Sequence, residues 1–108
     1  DGKRAVASNK LLSTFEPNLY VMRVDFDPFM RVERHKHASD HVIYIIEGEL
    51  ILEGRAISAG TCLSFKADKF YGPESAGPEG AKTMIIFDGS PDQTFEDPEE
   101  QSRPMKTV

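Results

Sequence analysis

The chain contains no tryptophan and a single cysteine, Cys62, among its 108 residues. One thiol excludes an internal disulfide framework, so the core has to hold without covalent staples. A chain of this length buries roughly two-thirds of its unfolded surface, which suffices for one independent domain and leaves little room for a second. A lone thiol also suits a reducing compartment. The opening Asp-Gly-Lys-Arg lacks the apolar stretch of a secretory signal. A cytoplasmic location is therefore expected. No apolar run approaches the ~20 residues needed to cross a bilayer.

Positive charge is sparse as well. Thirteen Lys and Arg face eighteen Asp and Glu, for a net charge of −5, and the basic residues are scattered. Nucleic-acid binding needs a concentrated basic footprint that displaces counterions from phosphates. Anionic membrane surfaces attract the same kind of patch. Neither partner is expected, and a small molecule is. Helical periodicity is missing too: no 3.6-residue pattern exceeds about two turns, and there is no internal repeat or heptad.

What is present reads as short strands. Leu19 to Phe26 is rich in β-branched and aromatic residues and is closed by Asp27-Pro28. Phe29 to His37 follows as one strand, with Phe29, Arg31, Glu33, His35 and His37 on one face. Val42 to Ile46 is continuously apolar, as in a strand covered on both sides, and Leu50 to Leu52 is its return across a turn at Glu47-Gly48. Bends at Gly54 and Ala59-Gly60 flank a strand from Thr61 to Phe65. Gly72 to Gly80 holds three Gly and two Pro and reads as a loop, and Ala81 to Phe87 as the last strand. Short strands separated by Gly and Pro turns mean a single all-β sandwich or barrel. Residues 1–18 form a leading arm with room for an edge strand. Residues 88–108, with three Pro and many acids, form a tail that is either solvated or crosses to a partner subunit.

All three histidines fall within seven residues: His35, His37 and His41. On an extended strand His35 and His37 project from one face, about 6.6–6.8 Å apart. A turn over Ala38-Ser39-Asp40 would start His41 on the adjacent strand and bring it beside them. Three imidazoles make a good site for Fe, Ni, Zn or Cu and leave further coordination positions open, the mark of a reactive rather than structural centre.

The segment His35 to Gly48 resembles the first motif of the cupins. There, two histidines flank one residue, a glutamate follows, and a glycine comes seven residues later. His35, His37 and Gly48 match, and His41 stands in the glutamate position. Ser58-Ala59-Gly60 resembles the turn of the second motif, and Tyr71 stands where that motif places its last histidine. The resemblance covers roughly residues 19–87. It implies a jelly-roll β-barrel, a homodimer, a divalent transition metal on His35, His37 and His41, and a small oxygen-bearing substrate handled by a dioxygenase-like enzyme. The alternative is a barrel that binds or senses a metal or small ligand without turning it over. Three neutral ligands would leave the ion its full +2 charge and favour anionic or chelating molecules.

Tyr71 is the catalytic candidate: as a ligand, as a hydrogen-bond donor, or as packing. Glu74 follows closely enough to replace the missing carboxylate. Asp40 is expected to cap its own turn, with orientation of a histidine N–H as the other role. Glu47 and Glu49 are expected to be solvated. Cys62 is expected to be a buried, inert thiol. Phe26, Phe29, Phe65, Phe70, Tyr44 and Met84 are expected in the core or lining a pocket.

Overall fold

In the computed structural model the backbone is described for residues 7–13, 19–102 and 106–107, and the side chains for residues 19–100. The described residues are mostly strand, in antiparallel pairs, as the period-2 pattern requires. In chain order they are β1 Ala7–Ser13, β2 Leu19–Phe26, β3 Met30–Val32, β4 His35–His37, β5 His41–Leu52, β6 Arg55–Ser58, β7 Cys62–Phe65, β8 Glu74–Asp88, β9 Gln93–Phe95 and β10 Lys106–Thr107. A 310 turn runs over Pro98–Ser102.

The long strands β5 and β8 organise the barrel. The second half of β8 lies between β2 and the start of β5, so that Phe87 sits opposite Tyr20 on one side and His41 on the other. Its first half runs between β3 and the end of β5. β1 extends this sheet beyond β2, β10 extends it beyond β3, and β6 and β7 pair with β5. β4 and β9 form a separate two-stranded ribbon. Alternate side chains point inward: Val24 and Phe26, Met30 and Val32, Ile43 and Ile45, Ile85 and Phe87 are buried and form one continuous core.

Three expectations about strands need correction. The segment Phe29 to His37 is not one strand. Phe29 and Arg31 do not share the buried face of His35: Met30 and Val32 are buried instead, and the strand breaks at Glu33-Arg34 before β4 resumes with His35 buried. Two non-strand residues shift the alternation by one, so His35 faces the core although the odd positions before it do not. Glu47-Gly48 is not a hairpin turn either. β5 runs unbroken through it, with irregularities in its register against β8. Gly48 has φ +85°, and a Cβ there would run into the backbone carbonyl of Gly80. The glycine is needed for the close passage of two strands, not for chain reversal.

The expected loop Gly72 to Gly80 is largely the beginning of β8, because its backbone is captured by β3 and β5 on either side. Cys62 is exposed rather than buried, since it lies opposite Tyr44 on the outer face. Tyr44 and Phe29, expected inside, are 45% and 48% exposed. Residues after Asp88 lay β9 along β4, with Ala38 N–H donating to Asp92 O and Ser39 Oγ donating to Ser90 O.

Candidate functional site

The ribbon β4–β9 and the bridge to Tyr71 place the first two histidines. His35 pairs with Phe95 on β9 and exchanges two backbone hydrogen bonds with Tyr71, of 3.0 and 2.9 Å. His37 pairs with Gln93, and its carbonyl accepts from Asp68 N–H at 2.8 Å. His41 opens β5 opposite Phe65 and Phe87. Its ring is stacked between those two rings, with centroids 5.0 and 4.8 Å away. The structure thus gathers all three histidines: the His37 ring lies 5.1 Å from that of His35 and 4.7 Å from that of His41. His35 and His41 are buried, and His37 is half-buried.

Backbone carbonyls fix the tautomers. His35 Nδ1–H donates to Glu33 O at 2.8 Å, His37 Nδ1–H to Pro91 O at 3.0 Å, and His41 Nδ1–H to Ser39 O at 3.5 Å. A carbonyl only accepts, so each Nδ1 carries the proton and each neutral ring keeps its lone pair on Nε2. Burial favours that neutral form. It pushes His35 and His41 down to about 4 and lowers His37, with the neighbouring histidines adding to the effect at His35 and His41. Asp40 takes no part in this orientation; its carboxylate accepts from Ala67 N–H at 2.7 Å.

Tyr71 is at the centre. Its hydroxyl lies 3.1 Å from His35 Nε2 and 3.3 Å from His41 Nε2. One O–H can donate to only one of the two lone pairs at a time, so the other Nε2 is left without its proton. The phenol ring stacks on Phe65 at 4.2 Å, and burial pushes its ionisation above the ordinary range. Glu74, the first residue of β8, is 5% exposed and sets Oε1 3.6 Å from His35 Nε2. Burial raises its carboxyl to about 7.

A cavity of about 240 Å³ is lined by His35, His37, Tyr71 and Glu74 together with apolar residues that include Met22, Val24 and Ile85. A larger concavity, about 360 Å³, lies on the other side of His41, around Leu19, Val42 and Ile86, and is lined by neither Tyr71 nor Glu74. The inner cavity meets His35, His37, Tyr71 and Glu74, and the outer one meets His41.

Among the described residues, no three His, Cys, Asp or Glu side chains are arranged to hold one metal ion as they stand. The Tyr71 hydroxyl lies within reach of two of the Nε2 atoms an ion would need. The chemistry of the donor set does fit a divalent transition metal: three neutral imidazoles, each with Nδ1 held by a carbonyl and Nε2 unprotonated, as ligating histidines require.

The structure brings together His35, His37, His41, Tyr71 and Glu74, all candidates in the sequence. The carbonyls of Glu33 and Pro91 and the cavity residue Gln93 were not among those candidates. Backbone carbonyls leave no trace in side-chain pattern. Pro91 and Gln93 come from a segment whose composition resembled a tail.

No family model matches the chain, and no curated protein matches it in sequence. Solved structures do match its fold. KdgF from Halomonas sp. is 23% identical with a TM-score of 0.64, over 80% of this chain and 79% of that one. An RmlC-like cupin from Shewanella frigidimarina is 22% identical with a TM-score of 0.65, over 80% and 77%. An oxalate oxidase in complex with glycolate is 18% identical with a TM-score of 0.66, over 82% of this chain and 54% of its own. The chain thus spans about half of that enzyme. Shared topology at this level, together with the antiparallel barrel described above, gives the chain the all-β jelly-roll fold of the cupins.

Proposed function

We propose that this cupin-fold barrel binds a divalent transition metal through His35, His37 and His41 and acts on a small oxygen-bearing molecule held in the inner cavity. The observation that carries the reading is the tautomer set: three carbonyls hold three Nδ1–H groups, which leaves each Nε2 unprotonated, with His35 and His37 lining the inner cavity. A metal bound there would supply Lewis acidity to the oxygen atoms of a substrate. The chain's own contributions are more specific. Met22, Val24 and Ile85 exclude water from the molecule's apolar part. Tyr71 stays a phenol and offers an O–H to an oxygen brought within its reach. Stacking of His41 between Phe65 and Phe87 keeps the ring from turning. The oxalate oxidase of similar fold, in complex with glycolate, supports a small oxygen-bearing substrate.

A non-catalytic barrel that only binds its ligand is the second reading. The Tyr71 hydroxyl favours it, because it already lies against two of the lone pairs. Titration with Co2+, followed by visible absorption, tests the first. The expected result is saturation at one ion per chain in the wild type, with most of the affinity lost in His37→Ala. A spectrum no different from free Co2+ in the wild type would remove the metal from the account.

A further inference from the structure

Glu74 has a feature that the metal reading leaves unused. Its backbone is clamped between Val32 on β3 and Leu52 on β5, and its side chain enters the barrel wall. Oε1 faces His35 Nε2 at 3.6 Å, beyond a good hydrogen bond. Oε2, buried, has no hydrogen-bond partner among the described residues. Buried polar atoms are almost always paired, so an orphan that borders a cavity signals a donor supplied from outside the chain. No Lys or Arg is among the described residues that border this cavity, so these residues provide neither an internal ion pair with a base nor a partner for a ligand carboxylate.

We propose that Glu74 anchors, inside the barrel, a small uncharged molecule that presents a hydroxyl or N–H donor on an apolar body. The inference rests on the reading of the inner cavity as a small-molecule site and not on the metal. Size sets the class further. An apolar cavity of about 150 Å³ holds benzene in an engineered case, and drug-sized ligands occupy about 300 Å³ and more. The cavity here, about 240 Å³, therefore suits a single-ring molecule or a short branched chain. One hydroxyl of that molecule donates to Glu74 Oε2, while its carbon skeleton lies against Met22, Val24 and Ile85.

Phenol and toluene, which differ by a hydroxyl for a methyl, are suitable probes. Their affinities would be measured by ligand-observed NMR on chelator-treated wild type, Glu74→Gln and Glu74→Leu. The phenol-to-toluene affinity ratio is expected to be about tenfold higher in the wild type than in Glu74→Leu, the equivalent of one hydrogen bond. Glu74→Gln keeps an acceptor and is expected to stay within about threefold of the wild type. Thermal unfolding provides a second readout. Replacing an unsatisfied buried oxygen by a methyl group is expected to leave the melting temperature of Glu74→Leu unchanged or higher. An unchanged probe ratio in Glu74→Leu would overturn the anchor while sparing the cavity reading. Failure of both probes to bind the wild type would overturn both. A lower melting temperature in both variants would mark Glu74 as structural and overturn the anchor.

Discussion

Tyr71 is a single side chain with two acceptors for one proton. Its O–H can satisfy His35 Nε2 or His41 Nε2, at 3.1 and 3.3 Å, and leaves the other lone pair unpaired in either arrangement. Tyr71→Phe keeps the stacking on Phe65 and removes only the hydroxyl. It should lower stability by about 1 kcal/mol in urea denaturation, the usual worth of one such hydrogen bond. The same change should raise Co2+ affinity several-fold, because a neutral phenol competes with an ion for the lone pairs. A fall in affinity instead would make the phenol oxygen a ligand. At Met30, 0% exposed, truncation to Ala should cost about 2–5 kcal/mol, read by the same denaturation.

The elements explain which parts of the fold were legible. β2 follows directly from its sequence, because eight residues of β-branched and aromatic character are bounded by Asp27-Pro28. The histidine cluster was legible because two strands and one short turn bring it together, all within seven residues. The switch at Glu33-Arg34 was not, since a two-residue break leaves the composition unchanged while moving every later side chain to the other face. Gly48 and the Gly72 to Gly80 segment were misread for one reason. Glycine and proline signal turns locally, whereas here strand pairing to β3 and β5 overrides them. Tyr44 and Phe29 are placed inside by hydrophobicity alone, whereas alternation along β5 turns Tyr44 outward and Phe29 sits in the turn before β3 with φ +62°.

The two roles of glycine can be separated by substitution. Gly54 and Gly48 have nearly the same backbone angle, φ +82° and +85°, but a Cβ at Gly54 meets open space and one at Gly48 meets the Gly80 backbone. Gly54→Ala should cost about 1–2 kcal/mol, the penalty for a left-handed residue with a side chain. Gly48→Ala should cost more than about 3 kcal/mol, because strand separation is added to that penalty. Equal losses in urea denaturation would mean that β5 and β8 do not pass so closely.

At the scale of the whole molecule, the buried titratable cluster ties stability to pH. In the unfolded chain the three histidines titrate near 6.5, while in the folded protein His35 and His41 are held at about 4 and His37 below its usual value. The unfolded chain therefore takes up protons first, and the stability present at pH 7 is lost as pH falls from 6.5 toward 4. Glu74 works in the opposite sense. Its carboxyl, at about 7 when folded, keeps a proton the unfolded chain has released, so its contribution is full below about 4.5 and is lost as pH rises through 7. Three groups outweigh one. Metal-free protein should gain stability from pH 4.5 to 6.5, and Glu74→Gln should steepen that rise. A flat profile over this range would mean that the histidines are not buried as neutral rings.

The central claim is that His35, His37 and His41 together form a metal-binding centre. The most direct measurement is elemental analysis of tag-free protein, purified without added metal and again after reconstitution, beside the His35→Ala/His37→Ala variant. The expected result is close to one iron, nickel, zinc or copper ion per chain in the wild type and none in the variant. Absence of metal from the wild type even after reconstitution, or equal metal in both proteins, would contradict the account and leave a barrel that binds its small molecule without an ion.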